Sequence, residues 1–281
     1  MLVFETKNEL EERLNKIWPS NNLGLVPTMG ALHEGHASLI KKAFLENKHV
    51  VVSIFVNPTQ FNNEEDLKKY PKTLSADLEL IKSLSKDIIV FAPKINEIYA
   101  DGPILKKYDF DGLDKVMEGE FREDHFNGVG TIVALLLKLI KPTRAYFGEK
   151  DFQQLRIIQK LTVLENIPVE IIGCPIVREP HGLAMSSRNE RLSKDLRLTA
   201  GFIYETLTTA KRKFGTKSAL ETKKWVRKMF KNHEKLNLEY IEITDVTSLT
   251  PVKRKSNNKK YRAFIAVYAG DIRLIDNVAL N

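Results

Sequence analysis

The first 175 residues alternate short apolar, β-branched runs with stretches of helical spacing, and this alternation constrains the fold most. The strand candidates are Leu23–Val26, His49–Val56, Asp87–Ala92, Arg144–Phe147 and Val169–Ile172. The helix candidates between them are Gly35–Asn47, Leu74–Leu84, Val129–Ile140 and Asp151–Glu165. Strands this apolar are typical of a parallel sheet buried on both faces. The pattern predicts a doubly wound α/β domain that binds its ligands beyond the carboxyl ends of the strands.

A second pattern begins near residue 176. Helical spacing covers Lys194–Phe214 and Lys217–Asn232, and strand candidates follow at Leu238–Thr244, Tyr261–Ala269 and Ile272–Ile275. The polar run from Lys253 to Lys260 reads as a connection between two of these strands. We therefore predict a doubly wound domain over residues 1–175 and a smaller α+β domain over residues 176–281, which is a usual domain size.

Composition excludes several classes of protein. The chain is 43% hydrophobic and 28% charged, as in ordinary globular proteins. The longest apolar run, Gly128–Ile140, is too short to cross a bilayer and contains Lys138. The N-terminus lacks the pattern of a signal peptide, and a single cysteine, Cys174, excludes an internal disulfide, so we expect a cytoplasmic protein without a membrane partner.

The formal charge of +8 could indicate nucleic acid, an acidic membrane surface or small anionic substrates as partners, or it could be solvated surface charge. Charge runs are usually solvated surface, and the run Lys253–Lys260 fits a polar loop. The alternative is an RNA-binding protein that uses its basic C-terminal half, which predicts aromatic residues interleaved with the basic ones. The run contains no aromatic residue, so we expect no nucleic-acid partner.

Residues 27–36 read PTMGALHEGH and directly follow a strand candidate. A helix that begins near Gly35 would place backbone N–H groups and the imidazoles of His33 and His36 at a helix N-terminus, where phosphate is favoured. A metal site is a weaker alternative, because zincin histidines are spaced i, i+4 with Glu between them and no Cys or third His lies nearby. Two solvated loop histidines are the remaining alternative.

Two further loops follow strand candidates. In FVNPTQF, Asn57 and Gln60 offer amide donors and acceptors, although an Asn can simply start a turn there. In FGEKDFQQL, Lys150 is a point charge suited to phosphate, and Asp151 is within reach of a nucleotide or its Mg²⁺. The alternative for Asp151 is a helix capping box with Gln154.

Two further segments are polar. One lies at the predicted domain junction, and the other precedes the predicted helix Val129–Ile140. The first, CPIVREPHGLAMSSRN, contains Ser186–Arg188, where hydroxyl donors followed by a guanidinium suit a polyphosphate. Clefts between domains are common binding sites, which favours this reading. The second, MEGEFREDHFNGV, offers Arg122 and His125 to the same cleft, with an ordinary surface loop as the alternative.

Together these motifs resemble a known family. PTMGALHEGH is similar to the HxGH signature of nucleotidyltransferases and class I synthetases, and MSSR resembles their second, phosphate-closing signature. With FVNPTQF, Tyr70-Pro71, FGEKDFQQ and GLAMSSRN in order over residues 20–195, the chain is identified as a member of the pantothenate synthetase (pantoate–β-alanine ligase) family. Another HxGH nucleotidyltransferase would explain the phosphate loops but not FVNPTQF with FGEKDFQQ.

The resemblance implies a Rossmann-like nucleotide-binding domain with a small C-terminal lid domain, assembled as a homodimer. It implies that pantoate and β-alanine are joined with ATP and Mg²⁺ through pantoyl adenylate, with AMP and pyrophosphate as products. The implied ATP contacts are Met29, Gly30, Ala31, Leu32, His33, Glu34, Gly35, His36, Gly148, Glu149, Lys150, Asp151, Val177, Met185, Ser186, Ser187 and Arg188. The implied contacts to pantoate or β-alanine are Gln60, Gln154, Asn57 and Arg122.

Within that set, His36, His33 and Lys150 are the expected catalytic residues, and His36 is the candidate proton donor because imidazole changes charge near neutral pH. No metal is expected to be fixed by the protein alone, and Asp151 is the residue expected near ATP-bound Mg²⁺. One segment departs from the family pattern: Arg122-Glu123-Asp124-His125-Phe126 stands where the family commonly has Arg-Pro-Gly-His-Phe. The lost Pro-Gly turn leaves the shape of this loop open.

Overall fold

The computed structural model describes residues 1–17, 22–61 and 64–281. The strands are β1 Leu2–Phe4, β2 Leu23–Thr28, β3 His49–Ile54, β4 Ile89–Phe91, β5 Arg144–Gly148, β6 Glu170–Cys174, β7 Leu236–Asp245, β8 Tyr261–Ala269 and β9 Ile272–Ala279. The helices are α1 Lys7–Ile17, α2 Glu34–Glu46, α3 Glu64–Lys69, α4 Leu74–Leu84, α5 Ile95–Ile98, α6 Glu118–Phe121, α7 His125–Ile140, α8 Phe152–Leu164, α9 Lys194–Thr199, α10 Phe202–Thr216 and α11 Ala219–Lys231. Short 3-10 turns occupy Pro58–Gln60, Glu149–Asp151 and Ser187–Arg191.

The chain divides into two compact units. The first unit comprises residues 1–114, 118–149 and 154–175. The second unit comprises residues 115–117, 150–153 and 176–281. Among the residues described, no helix is long and apolar enough to span a membrane.

Six parallel strands form the sheet of the first unit, in the order β1-β4-β3-β2-β5-β6. From β2 the chain moves outward through β3 and β4, and it then returns to place β5 on the other side of β2. The carboxyl ends of β2 and β5 therefore flank a topological switch point, where open α/β sheets bind ligands. The predicted doubly wound parallel sheet is confirmed.

Branched apolar residues explain why this sheet is buried on both faces. Val50, Val51 and Val52 of β3 are each at most 1% exposed, so both sides of the strand are covered. Helix α2 contributes Leu39 and Ile40 to one core cluster with Val50 and Val52. Removal of such side chains from water, at about 25 cal/mol per Å² of apolar surface, is the main force that holds the helices on the sheet.

Some strand boundaries differ from the prediction. β3 ends at Ile54 rather than Val56, and β4 covers only Ile89–Phe91. In both cases the predicted run includes a buried apolar residue that lies just outside the strand. Before β4 this residue is Ile88, which is 0% exposed. Phe55 is only 5% exposed although it lies outside β3.

Helix α7 begins at His125, four residues before the predicted start at Val129. Asp124 precedes it with a φ of 55°, in the left-handed region. Its carboxylate accepts a hydrogen bond from Asn127 Nδ2 at 2.9 Å and forms an ion pair with Lys107. Aspartate is one of the few residues with a side chain that adopt this conformation readily. Asp124 thus makes a turn of the kind for which glycine is the usual residue.

The sheet of the second unit is antiparallel, in the order β7-β8-β9. Helices α10 and α11 bury Leu207, Val226 and Phe230 in one cluster with Ile241 of β7 and Ile265 of β8. This arrangement of helices on an antiparallel sheet confirms the predicted α+β class of the C-terminal part.

The helical stretch predicted over Lys194–Phe214 is helical but not continuous. The structure contains two helices, α9 and α10, separated at Ala200 and Gly201. A Cβ atom at Gly201 would lie 2.5 Å from the His181 carbonyl oxygen, and His181 Nε2 donates to the Arg197 carbonyl at 2.8 Å. The loop that contains His181 therefore packs against the break between the two helices. The spacing of apolar residues gives no indication of this contact.

Candidate active site

The loops that follow β2, β3 and β5 hold most of the candidate residues of the first unit. β2 pairs with β3 over its whole length and with β5 at Gly24 and Leu25. Because neighbouring parallel strands end at the same edge of a sheet, the chain segments beyond them come together at the switch point.

The two histidines of HEGH form the first turn of α2 and cap it. His33 is the N-cap residue, and its Nδ1 accepts a hydrogen bond from the Gly35 N–H at 3.1 Å. His36 reaches back in return, and its Nδ1 accepts from the His33 N–H at 3.3 Å. The two rings lie with their centroids 4.2 Å apart. This is a reciprocal capping box in which imidazoles replace the usual hydroxyl and carboxylate.

The capping geometry fixes which ring nitrogen carries the proton. A nitrogen that accepts a hydrogen bond offers a lone pair, so the neutral rings of His33 and His36 carry their proton on Nε2. Both rings therefore have an Nε2–H donor, and the N-terminus of α2 adds its positive dipole. The arrangement suits an anionic ligand, as the sequence predicts for these residues.

The loop ahead of the histidines is held by a buried carboxylate that the sequence analysis missed. Asp77 of α4 is 2% exposed, and its oxygens accept hydrogen bonds from the N–H groups of Ala31 at 3.0 Å and Leu32 at 2.7 Å. Gly30 and Ala31 both have positive φ, at 79° and 49°. In the sequence, Asp77 reads as an ordinary acid in the first turn of a helix.

Gln60 and Met29, both predicted contacts, are brought together by β2 and β3. The Gln60 Nε2 donates to Met29 Sδ at 3.0 Å, and Asn57 Nδ2 donates to Gln60 Oε1 at 3.2 Å. Gln60 is half-buried at the end of its 3-10 turn. Its amide therefore lies against the loop that leads into the histidines, with its orientation set by a neighbouring amide.

Asn57 is almost fully buried, at 1% exposure. Its Oδ1 accepts from the hydroxyl groups of Tyr99 at 2.7 Å and Thr59 at 3.0 Å, and its Nδ2 also donates to the Gly128 carbonyl at 3.2 Å. Burial raises the pKa of Tyr99, so this hydroxyl keeps its proton and acts as the donor. Asn57 thus links the Gln60 turn to helix α7.

Arg122 and His125 contact the same turn. Arg122 Nη2 and His125 Nδ1 donate to the Gln60 carbonyl oxygen, at 3.4 Å and 2.8 Å. Arg122 also lies 3.8 Å from the carboxylate of Glu118, and its side chain is 24% exposed. The two residues that the sequence assigned to a polar loop therefore support the backbone of Gln60.

The loop after β5 contributes to both units. In the first unit, Gly148 ends β5 and Glu149 follows it, and Gln154 is half-buried in the first turn of α8. In the second unit, Lys150 Nζ lies 3.6 Å from the Asp151 carboxylate, with side-chain exposures of 18% and 47%. Asp151 thus lies in a 3-10 turn directly before α8, the position at which the sequence predicts a helix cap as an alternative, and it forms an ion pair with Lys150.

The turn at Lys150 is anchored on the sheet of the second unit. Asn277 of β9, 1% exposed, donates to the Lys150 carbonyl at 2.9 Å. Arg262 of β8 contacts Asn277 and stacks over the Phe152 ring, with its guanidinium carbon 4.0 Å from the ring centroid. These contacts fix the backbone from which the Lys150 ammonium extends.

The segment with Met185, Ser186, Ser187 and Arg188 follows a tight hairpin. The Met185 N–H donates to the Val177 carbonyl at 3.0 Å. Ser186 is the N-cap of the turn Ser187–Arg191, and its hydroxyl accepts from the Arg188 N–H at 3.3 Å. Four of the predicted ATP contacts are thus consecutive residues that lead into one ordered turn, and the fifth, Val177, is hydrogen-bonded to the first of them.

A buried network holds that hairpin. Asn189 donates to the Glu179 carboxylate at 2.8 Å and to the Ala184 carbonyl at 3.0 Å, and Arg197 donates to both oxygens of Glu179. Burial acts to raise the pKa of Glu179, but the hydrogen bonds from Arg197 and Asn189 outweigh it and hold that pKa below its usual value. The carboxylate therefore stays charged beneath the turn.

Arg178, next to Val177, is held by contacts within the second unit. Its guanidinium makes a bidentate pair with Asp276 at 2.6 Å and 2.9 Å and stacks on the Tyr204 ring at 3.7 Å. Cys174, at the end of β6, is a buried free thiol whose pKa burial raises to about 11. It is therefore unsuited to act as a nucleophile at neutral pH.

Comparison with known proteins gives a consistent result. A sequence model of the family described as Pantoate-beta-alanine ligase matches residues 2–279. This chain belongs to that family. The pantothenate synthetase of Christiangramia forsetii is 56% identical over 282 residues, which is 100% of both chains.

Solved structures of pantoate–β-alanine ligases also match this chain. The pantothenate synthetase from Thermus thermophilus superposes with a TM-score of 0.92 at 36% identity, covering 100% of this chain and 99% of that one. The pantoate–β-alanine ligase from Francisella tularensis, solved in complex with β-γ ATP and β-alanine, gives a TM-score of 0.82 at 38% identity, covering 100% and 98%. The family resemblance found in the sequence is confirmed.

Proposed function

We propose that this chain is an ATP-dependent ligase that joins pantoate to β-alanine and releases AMP and pyrophosphate. One observation carries the proposal: in the first unit, two Nε2–H donors at the N-terminus of α2 follow the same strand, β2, whose exit also carries Met29 in contact with the Gln60 amide. The first group suits a triphosphate, and the second suits a hydroxy acid. Relatives named pantothenate synthetase, at 54–56% identity over the whole chain, support it.

In the first step, an oxygen of the pantoate carboxylate attacks the α-phosphorus of ATP. A carboxyl O–P bond forms, and the bond from the α-phosphorus to the bridging oxygen breaks, so negative charge grows on the departing pyrophosphate. Donors positioned at those oxygens lower the barrier. We assign this role to His33, His36 and Lys150, together with Ser186, Ser187 and Arg188. Because His36 presents Nε2–H while its Nδ1 is engaged, it acts as a hydrogen-bond donor to phosphate.

In the second step, the β-alanine amine attacks the acyl carbon of pantoyl adenylate. A C–N bond forms, the C–O bond to AMP breaks, and the amine loses a proton. No covalent enzyme intermediate is required, which is consistent with the buried thiol of Cys174. The protein's contribution is to hold the two acids in line and to exclude water from the mixed anhydride. We assign Gln60 and Gln154 to pantoate, with Asn57 and Arg122 supporting Gln60.

The donor set fits a Mg²⁺ ion that arrives with ATP. The described residues contain no group of three or more His, Cys, Asp or Glu side chains suited to a metal ion. Mg²⁺ commonly binds through one or two carboxylates, water and substrate phosphates, and the half-exposed carboxylate of Asp151 suits such a role. When bound, the ion would neutralise phosphate charge.

We also propose a homodimer in the cytoplasm, as the family resemblance implies. The one cysteine of the chain is a reduced, buried thiol, which is compatible with a reducing compartment. Light scattering coupled to size-exclusion chromatography measures the assembly directly. A mass near twice 32.2 kDa is expected, and a mass near 32.2 kDa would contradict the dimer.

The proposed reaction is tested with purified protein, ATP, Mg²⁺ and pantoate, while pyrophosphate release is followed with and without β-alanine. We expect one burst of pyrophosphate with pantoate alone and continuous release once β-alanine is added. Release that depends on neither acid would refute the ligase. The variants His36→Ala and Lys150→Ala should slow adenylate formation far more than they lower the melting temperature, and Arg178→Lys serves as a control outside the assigned contacts.

A further inference from the structure

We propose that Asp77 is a positioning residue for the HEGH histidines: it acts on ATP through the backbone of the loop that leads into α2. This inference rests on the proposed function, because it concerns how the same residues receive the nucleotide. Asp77 lies on a different helix, α4, and no motif of the sequence includes it.

Both carboxylate oxygens of Asp77 are engaged with the loop or its own helix. Oδ2 accepts from the Ala31 N–H at 3.0 Å, and Oδ1 accepts from the Leu32 N–H at 2.7 Å. The Thr73 hydroxyl donates to Oδ1 at 3.2 Å. With 2% exposure, the carboxylate has little access to water, so these donors carry its hydrogen bonding.

The loop adopts a conformation that needs such an anion. Gly30 and Ala31 are consecutive residues with φ of 79° and 49°, and alanine rarely adopts the left-handed region. This backbone turns successive N–H groups toward one point, which is an anion-binding concavity. A Cβ atom at Gly30 would lie 3.0 Å from Asp77 Oδ2, so the backbone lies directly against the carboxylate.

The link from this contact to the site is short. Leu32 directly precedes His33, the N-cap of α2, and the His33 N–H donates to His36 Nδ1. If the Ala31 and Leu32 amides lose their acceptor, the backbone ahead of His33 is no longer held in one position. The orientation of the His33 and His36 rings then becomes less defined. The Nε2–H donors would then lose their fixed orientation, and the binding of phosphate would weaken. The Gln60 turn, which follows β3, keeps its contacts with Asn57, Arg122 and His125.

The test is Asp77→Asn, with Asp245→Asn as the matched control. The variant keeps the size of the side chain but turns one acceptor into an NH₂ group that faces a backbone N–H. Asp245 has the same chemistry elsewhere: it is 8% exposed and accepts from the Thr247 N–H at 2.9 Å and the Ser248 N–H at 3.0 Å, in the second unit. Asp77→Asn must lose one of its two carboxylate–amide bonds, because each oxygen accepts one of them. In Asp245 both amides bond to Oδ1, so Asp245→Asn keeps them and loses only the charge that pairs with Lys259 Nζ at 3.5 Å from Oδ2; it controls for the removal of a buried carboxylate charge.

We expect Asp77→Asn to raise the KM for ATP roughly tenfold or more, with the KM for pantoate within about twofold of wild type. Asp245→Asn should leave the KM for ATP unchanged. If the KM for ATP is the same in the two variants, or if the KM for both substrates rises equally in Asp77→Asn, the positioning role is refuted.

Two measurements guard the result against misfolding and against failure of the proposed reaction. Thr73 is exposed, so Thr73→Ala should fold and raise the KM for ATP by a smaller factor, and Thr73→Ser should restore it. Amide hydrogen exchange at Ala31 and Leu32, without substrate, should be at least about tenfold faster in Asp77→Asn than in wild type. A wild type that fails to release pyrophosphate would refute the ligase, while unchanged exchange in Asp77→Asn would refute the positioning role.

Discussion

Gly128 lies where helix α7 meets the Gln60 turn, and replacing it with alanine should disable pantoate binding. A Cβ atom there would lie 2.2 Å from the Thr59 carbonyl oxygen and 2.8 Å from Gln60 Cα. Both neighbours are backbone atoms, so no flexible side chain can move aside. The Gly128 carbonyl also accepts from Asn57 Nδ2, so the same shift would disturb the amide that orients Gln60.

The size of the effect follows from these distances. Atoms in ordinary van der Waals contact lie 3.4–4 Å apart, so the turn must move by roughly 1 Å. Overpacking of this kind costs about 1–3 kcal/mol of stability. A displacement of about 1 Å in a substrate-positioning group costs on the order of a hundredfold in rate, which corresponds to about 2.7 kcal/mol. We therefore expect kcat/KM for pantoate to fall about a hundredfold.

The assay is pyrophosphate release with pantoate varied at saturating ATP, compared between Gly128→Ala and Gly130→Ala. Gly130 lies in the same helix, but its added Cβ would meet ring atoms of Tyr108 and Phe110 at 3.1–3.3 Å, which can adjust by a few tenths of an ångström. Gly130→Ala should keep kcat/KM for pantoate within about threefold of wild type. Equal values in the two variants would refute the reasoning.

Two further predictions concern the histidine cap and acid stability. His33→Asn keeps a side-chain acceptor at the N-cap, so it should retain the wild-type melting temperature while slowing adenylate formation. His33→Ala should slow adenylate formation and also lose about 1 kcal/mol of stability. Equal melting temperatures of the two variants would contradict the capping role. Hydrogen bonds from Lys106 and Lys138 lower the pKa of Glu165 to about 2, so its stabilisation is present above the ordinary carboxyl pKa and lost as pH falls toward 2. Glu165→Gln should therefore cost about 1–2 kcal/mol at pH 6, since solvent screens the two exposed lysines, and nothing near pH 2; a pH-independent difference in urea unfolding would contradict this.

Much of the first unit is predictable from the sequence because its signals are local. Runs such as Val50–Val52 show a strand buried on both faces, and the helix Leu74–Leu84 matches its predicted bounds. The position of PTMGALHEGH after such a strand suffices to predict a phosphate loop, since a strand exit followed by a helix start needs only neighbouring residues.

The remainder depends on contacts between residues distant in sequence. Asp77 holds a loop 45 residues earlier in the chain, and nothing near it in sequence indicates that role. The break at Gly201 reflects the approach of the His181 carbonyl. Asp124 is a third case. It stands where the family pattern has glycine, and it adopts the left-handed conformation with its side chain hydrogen-bonded to Asn127. Propensity and periodicity contain none of this information.

The paired imidazoles at the start of α2 restrict which residues this loop can use for a polyanion. Lysine and arginine would supply charge to phosphate, but they have donors only and no acceptor for the amides of Gly35 and His33. Exchange for either would gain a cation and unwind the first helical turn. A neutral histidine accepts a backbone hydrogen bond at one ring nitrogen and donates to a ligand from the other, and it can also gain a positive charge near neutral pH. The loop therefore combines helix initiation and ligand recognition in the same two rings, so a replacement such as His33→Asn that keeps the helix cap still changes the group that meets the ligand.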